Sequence, residues 1–213
     1  VIRNIGLIIA SYLVGSMLFA YIIAQLTKGI DIREHGDGNP GGANAIRVLG
    51  LSWGIIILLL DILKGVGAMA IANALNAHRI VPLCGFLVVV GHNWSVFLKF
   101  RGGKGIATSI GVLLYALPRR IFHFLPYELA VGVGLWAVFA LLAIKVDFIR
   151  RCHALGWSFI FIFLPFIAWG FGEPLPLISL TIAIAILALV KQIPNIKRLF
   201  FMPAEAESPG QFL

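Results

Sequence analysis

The chain has 213 residues, 60% of them hydrophobic and only 12% charged, where a soluble domain carries about 25% charged residues. This excludes a soluble globular protein and leaves an integral membrane protein with no polar segment long enough for a second domain. The net charge of +8 raises nucleic acid as a partner, but the cations sit in short loops between apolar runs. There they fit membrane topology and anionic lipid or phosphate, so no nucleic acid is expected.

A membrane crossing takes about 20 apolar residues. In chain order the candidates are 4–26, 51–72, 80–98, 106–117, 124–144, 154–172 and 175–191. The fourth is short, stops before Pro118 and reads as a short or tilted span. Regular alternation of apolar and polar residues is absent, which argues against a β-barrel. Lipid offers the backbone no hydrogen-bond partner, so helices are expected. The fold class is thus an all-α integral membrane protein of about seven transmembrane helices. Arg3 precedes the first run and no cleavage site is evident before Gln25, so that run is read as a retained span, not a signal peptide. Residues 1–200 form the membrane domain and 201–213 a cytoplasmic tail. The two cysteines, Cys84 and Cys152, have no metal-ligand spacing, and neither a metal nor a cofactor is expected.

Cation counting orients the chain. With the N-terminus outside, twelve Lys and Arg residues face the cytoplasm and four face out, and Lys64 lies within a span. That asymmetry sets the N-terminus outside and the C-terminus inside. The same choice gathers the polar clusters on one side of the membrane.

The first cluster, Lys28 to Arg47, is glycine-rich, and the glycines with Pro40 between 36 and 42 exclude a regular helix there. On a short helix starting near Ala43, Asn44 and Arg47 would share a face. Asp61 and Lys64 stand three apart within the second span and are expected to pair as a structural ion pair facing the protein interior. The stretch from Gly91 to Thr108 combines Lys99, Arg101 and Lys104 with Gly102, Gly103 and Gly105. Glycines let backbone N–H groups converge on an anion, Arg101 and Lys104 add full charge, and Thr108 adds a hydroxyl. This reads as a phosphate-binding loop at a membrane edge; a plain basic loop that obeys the positive-inside rule is the competing reading. Gly105 after Lys104 excludes a Walker loop. His92 is a general base, a substrate hydrogen-bonder or a tie to a neighbouring carbonyl. Near the C-terminus, Asn195 and Arg198 repeat the spacing of Asn44 and Arg47, after Pro194 marks a break in the last span.

Together these segments resemble a known family. Gly15-Ser16, then Gly36-x-Gly38-Asn39-x-Gly41-x-x-Asn44-x-x-Arg47, then Asp61-x-x-Lys64-Gly65 form one block. Gly91-His92 with Phe97-x-x-Phe100-x-Gly102-Gly103-Lys104-Gly105-x-Ala107-Thr108 forms the second, and Asn195-Ile196-x-Arg198-Leu199 the third. The pattern resembles the bacterial acylphosphate:glycerol-3-phosphate acyltransferases (PlsY type). The resemblance implies a seven-helix enzyme of phospholipid biosynthesis in the bacterial cell (inner) membrane, with its active site on the cytoplasmic face. It implies acyl transfer from acyl phosphate to the 1-hydroxyl of sn-glycerol 3-phosphate, with membrane lipids and other phospholipid-synthesis enzymes as neighbours. Catalytic roles then fall to His92 and Lys104, and substrate-phosphate binding to Asn39, Asn44, Arg47, Arg101, Gly102, Gly103, Thr108, Asn195 and Arg198. The chain departs from the family where Asp37 replaces Ser, Ala43 replaces Thr, and Gln192 and Pro194 replace His and Glu. These departures keep open a second reading, a weak or inactive member that binds phosphorylated lipid precursors or a partner enzyme.

Overall fold

The computed structural model describes residues 1–117 and 161–201, with the side chains of 195–201 outside that description. Every regular element among the described residues is helical. The chain opens with α1 (Ile2–Ser16) and α2 (Phe19–Lys28), and continues through α3 (Gly42–Leu49), α4 (Leu51–Ala74), α5 (Val81–Asn93) and α6 (Ile106–Ala116). Single 3-10 turns at Ile32–Glu34, His78–Ile80 and Val96–Leu98 connect them. Pro82 sits in the first turn of α5, where its missing N–H removes no helical bond.

Small residues decide which helices touch. A Cβ on Gly15 would strike the Val88 backbone, and one on Gly91 would strike the Tyr12 carbonyl, so α1 and α5 meet backbone to backbone. Gly65 against Thr108 and Gly111 against Ile62 do the same for α4 and α6. In lipid, where apolar burial gives little net drive, such close approach is what holds helices together. Around it, Ala20, Ala24, Ile32, Ala45 and Ile57 pack α2, α3 and α4 into one apolar cluster.

The expected span 4–26 is not one straight helix. It bends by 45° between Ser16 and Phe19. The bend takes the carbonyls of residues 15 to 17 out of the helical ladder, and side chains replace the lost partners. Lys64 Nζ donates to Gly15 O (3.1 Å) and Met17 O (2.9 Å), and Ser95 Oγ donates to Ser16 O (2.6 Å). The span expected at 106–117 is the 11-residue helix α6, about 17 Å long at 1.5 Å per residue. That falls well short of a hydrocarbon core of about 30 Å.

The described residues belong to two compact units, the first comprising 1–115 and the second containing 161–201. In the second, helix Phe161–Gly170 ends in a turn at Gly172 (φ 68°), closed by Glu173 N–H on Ala168 O at 3.0 Å. Helix Leu175–Phe201 then runs through Pro194 without the break expected there. Proline removes one helical hydrogen bond and crowds the preceding turn, and the helix absorbs both. Three helices among the described residues are long and apolar enough to cross a membrane, or four if α1 and α2 make one bent span. The expected span 124–144, and the part of 154–172 before Phe161, lie outside the described residues.

Candidate active site

The site is built where α1 bends and α5 ends. Asp61 and Lys64 are one helical turn apart on α4, both buried, with Lys64 Nζ 2.8 Å from Asp61 Oδ1. The expected ion pair is present, and it reaches further than the sequence indicates. Lys64 Nζ also lies 2.9 Å from His92 Nδ1, and Thr108 Oγ1 lies 3.3 Å from that same nitrogen. Asp61 Oδ1 stands 3.5 Å from it. Lys64 thus has three N–H donors for four acceptors: two carbonyls, a carboxylate and an imidazole. The His92 ring nitrogen is one of four groups that share this cation. The Phe19 ring, 5.5 Å from Nζ, closes the apolar side.

The imidazole's other edge meets the glycine loop. A Cβ on Gly103 would collide with His92 Nε2, and one on Gly102 with the His92 carbonyl. Gly105 (φ 76°) is closed in the same way by the Asn93 side-chain oxygen. These glycines let the loop lie flat on the last turn of α5. Gly103 N–H already has a partner within the chain, His92 O at 2.9 Å. Gly103 contributes close approach. Helix α6 begins directly after this loop. Its first-turn N–H groups have no acceptor within the helix, and Ser109 N–H is the first to find one, on Gly105 O at 2.8 Å.

The loop itself is wound tightly. Lys99 (φ 53°) and Phe100 (φ 62°) are consecutive non-glycine residues in the left-handed region, at about 1–2 kcal/mol each. Ser95 O holds them by accepting from Leu98 N–H (3.2 Å) and Phe100 N–H (2.8 Å). Tyr12 donates its hydroxyl to Trp94 O at 2.8 Å, so the loop is also pinned to α1. Arg101 is exposed and Lys104 half-buried.

The glycine-rich segment after α2 forms the second half. Asn44 is fully buried. Its Nδ2 donates to His35 O (2.9 Å) and Ile32 O (3.2 Å), and its Oδ1 accepts from Asp37 N–H (2.9 Å). Asn44 thus shapes the loop from inside. Asn44 and Arg47 are indeed on one short helix, but Arg47 points outward and pairs with Asp37 at 2.8 Å. Asn39 lies beside it, its N–H on Asp37 Oδ1 at 3.0 Å. Thr108 is likewise fully buried, with its hydroxyl 3.3 Å from His92 Nδ1. The two halves touch: Arg33, paired with Asp31 at 2.5 Å, reaches Leu98 O at 3.4 Å. That ion pair and its hydrogen bonds hold the Asp31 carboxyl below its usual pKa and raise that of Arg33.

Asn195 and Arg198 stand three residues apart on Leu175–Phe201, and their side chains lie outside the described residues. Sequence reasoning missed the ties from Tyr12, Ser95 and Arg33 and the contact of Lys64 with His92. All join residues distant along the chain, brought together where Gly15 and Gly91 let α1 and α5 cross closely. Among the described residues no cluster of His, Cys, Asp and Glu is arranged to hold a metal ion.

Apolar helices of membrane-crossing length, joined by polar loops that converge on a buried charge cluster, define a multi-pass helical membrane protein. Comparison with known proteins identifies which. The family model for glycerol-3-phosphate acyltransferase matches residues 5–202. The glycerol-3-phosphate acyltransferase of Halalkalibacterium halodurans is 39% identical over 196 residues, covering 91% of this chain and 90% of the relative. Glycerol-3-phosphate acyltransferase 2 of Moorella thermoacetica is 36% identical over 192 residues, covering 90% and 91%. The crystal structure of PlsY (YgiH), an integral membrane glycerol 3-phosphate acyltransferase, in its glycerol 3-phosphate form superposes with a TM-score of 0.72 at 30% identity, covering 92% of each chain. Its lysophosphatidic acid form gives 0.69, also at 30% identity, covering 92% of this chain and 91% of that one. The chain belongs to the glycerol-3-phosphate acyltransferase family and is an acyltransferase.

Proposed function

We propose that the acyl donor is an acyl phosphate and the acceptor the 1-hydroxyl of sn-glycerol 3-phosphate, yielding 1-acyl-sn-glycerol 3-phosphate (lysophosphatidic acid) and phosphate. The observation that carries this reading is the contact of Arg33 with the Leu98 carbonyl. It brings the glycine-rich segment of Arg47 to the same end of the helices as the basic loop of Lys104, so two phosphates can be held side by side. The hydroxyl oxygen attacks the acyl carbon, the bond from that carbon to the phosphate oxygen breaks, and phosphate leaves with the electron pair. Lys104, Arg101 and the first amides of α6 stabilise the leaving charge where it develops. The activated donor makes a nucleophilic side chain unnecessary. His92 stands beside the loop as a hydrogen-bonding group for the substrate, and the departing phosphate takes the hydroxyl proton.

Arg47 with Asn39 clamps the acceptor phosphate, which converts a bimolecular encounter into an oriented one. Asn44, Gly102, Gly103 and Thr108 act one step back, by shaping the loops that bind. Seven crossings with the N-terminus outside would put this site at the cytoplasmic face of the bacterial cell membrane, residues 1–200 forming the membrane domain and 201–213 the tail. The cation asymmetry supports that orientation.

The test is phosphate release. Purified protein supplied with acyl phosphate and glycerol 3-phosphate releases phosphate, and Lys104→Ala reduces release to background. Substantial turnover in Lys104→Ala rules out the site. Turnover with acyl-thioester donors and none with acyl phosphate rules out the donor.

A further inference from the structure

Asp37 is held by three hydrogen bonds, two on its carboxylate and one on its backbone N–H. Its Oδ1 accepts from Asn39 N–H at 3.0 Å, its own N–H is fixed on Asn44 Oδ1 at 2.9 Å, and its Oδ2 receives Arg47 Nη1 at 2.8 Å. The main chain and the buried Asn44 thus aim this anion at Arg47. We propose that Asp37 is a built-in competitor for the acceptor's phosphate: it occupies Arg47 until glycerol 3-phosphate displaces it, and so sets the affinity for that substrate. The inference rests on the reading above that Arg47 binds the acceptor phosphate.

The geometry shows why the competition is real yet surmountable. One carboxylate oxygen takes one guanidinium N–H, and the side chains of Arg47 and Asp37 are 39% and 33% exposed. A solvated, single-contact pair is weak. A phosphate dianion brings three oxygens and twice the charge, and engages the planar guanidinium through two parallel bonds. It therefore wins, but it gives back the pair it breaks. Asp37, tethered by Asn39 and Asn44, cannot retreat far and repels the newcomer. Both effects weaken binding of the acceptor, and neither touches the acyl-transfer step.

Asp37→Asn tests this, because the amide oxygen still accepts from Asn39 N–H while the charge is gone. In steady-state kinetics with acyl phosphate and glycerol 3-phosphate, Asp37→Asn lowers KM for glycerol 3-phosphate about two- to fivefold, the range open to an exposed ion pair. Its kcat and its KM for acyl phosphate stay at the wild-type values. Asp37→Ser, which also keeps an acceptor for that N–H, repeats the measurement should Asp37→Asn fail to fold. Arg47→Ala, run alongside, separates the two ideas. If Arg47→Ala weakens or abolishes turnover while Asp37→Asn leaves KM unchanged or raises it, the competitor role is overturned and the site stands. An Arg47→Ala enzyme with wild-type KM overturns the site reading and the competitor role together.

Discussion

Lys64 Nζ lies 2.9 Å from His92 Nδ1 while the same nitrogen caps Gly15 O and Met17 O at the bend between α1 and α2. One buried cation thus ties the shape of the first helix pair to the orientation of the imidazole beside the glycine loop. Removing it takes the cation away from the buried Asp61 carboxylate. Lys64→Met is expected to cost about 3–5 kcal/mol, as for other broken buried pairs. Removing the charge as well, in Asp61→Asn with Lys64→Met, should recover part of that loss. Thermal unfolding in micelles checks both, and a double variant no more stable than Lys64→Met would show that Asp61 is neutral there.

The glycine loop makes a sharper prediction, since the clashes differ in kind. A Cβ on Gly103 meets the His92 ring, a side chain that can be removed, whereas a Cβ on Gly102 meets backbone that cannot. Gly103→Ala in a His92→Ala background should therefore add little further destabilisation, while Gly102→Ala should damage both backgrounds alike. Contacting residues couple in this non-additive way. Additive losses for Gly103→Ala and His92→Ala, measured by melting temperature, would refute the contact.

Asn44 acts on the loop and not on the chemistry directly. Asn44→Ala removes three hydrogen bonds to the segment 32–37, at about 1 kcal/mol each. Hydrogen exchange at Asp37 N–H should accelerate by more than tenfold, with smaller changes in α5. Unchanged protection at Asp37 would contradict the clamp.

The Asp31–Arg33 pair predicts a pH dependence outside the membrane. Asp31 titrates lower folded than unfolded, because Arg33 donates hydrogen bonds to it. Its contribution is therefore full above the unfolded value of about 3.9 and is lost as pH falls through the lower folded value. Arg33, raised further from an already high value, titrates far above this window. The stability gap between wild type and Asp31→Asn should be constant from pH 7 to pH 5 and close below pH 4. A gap that persists at pH 2 would assign Asp31 a role other than this pair.

Composition alone established a helical membrane protein, because so apolar a chain with so little charge is insoluble as a globule and lipid permits few backbone solutions. Motif spacing marked the two loops, since glycines and cations at short intervals have few uses at a membrane edge. The spacing of Asp61 and Lys64 was enough to forecast their pairing. Tertiary structure decided which of these groups meet. The bend at Met17 is invisible in an unbroken apolar run, because it is sustained by Lys64 and Ser95, residues 47 and 79 positions away along the chain from the carbonyls they cap. The same holds for Asn44 turning inward while Arg47 turns to Asp37: residue types and intervals name the candidates, but only the packing of glycine against backbone sets which face of each helix is closed and which donor is left to a ligand.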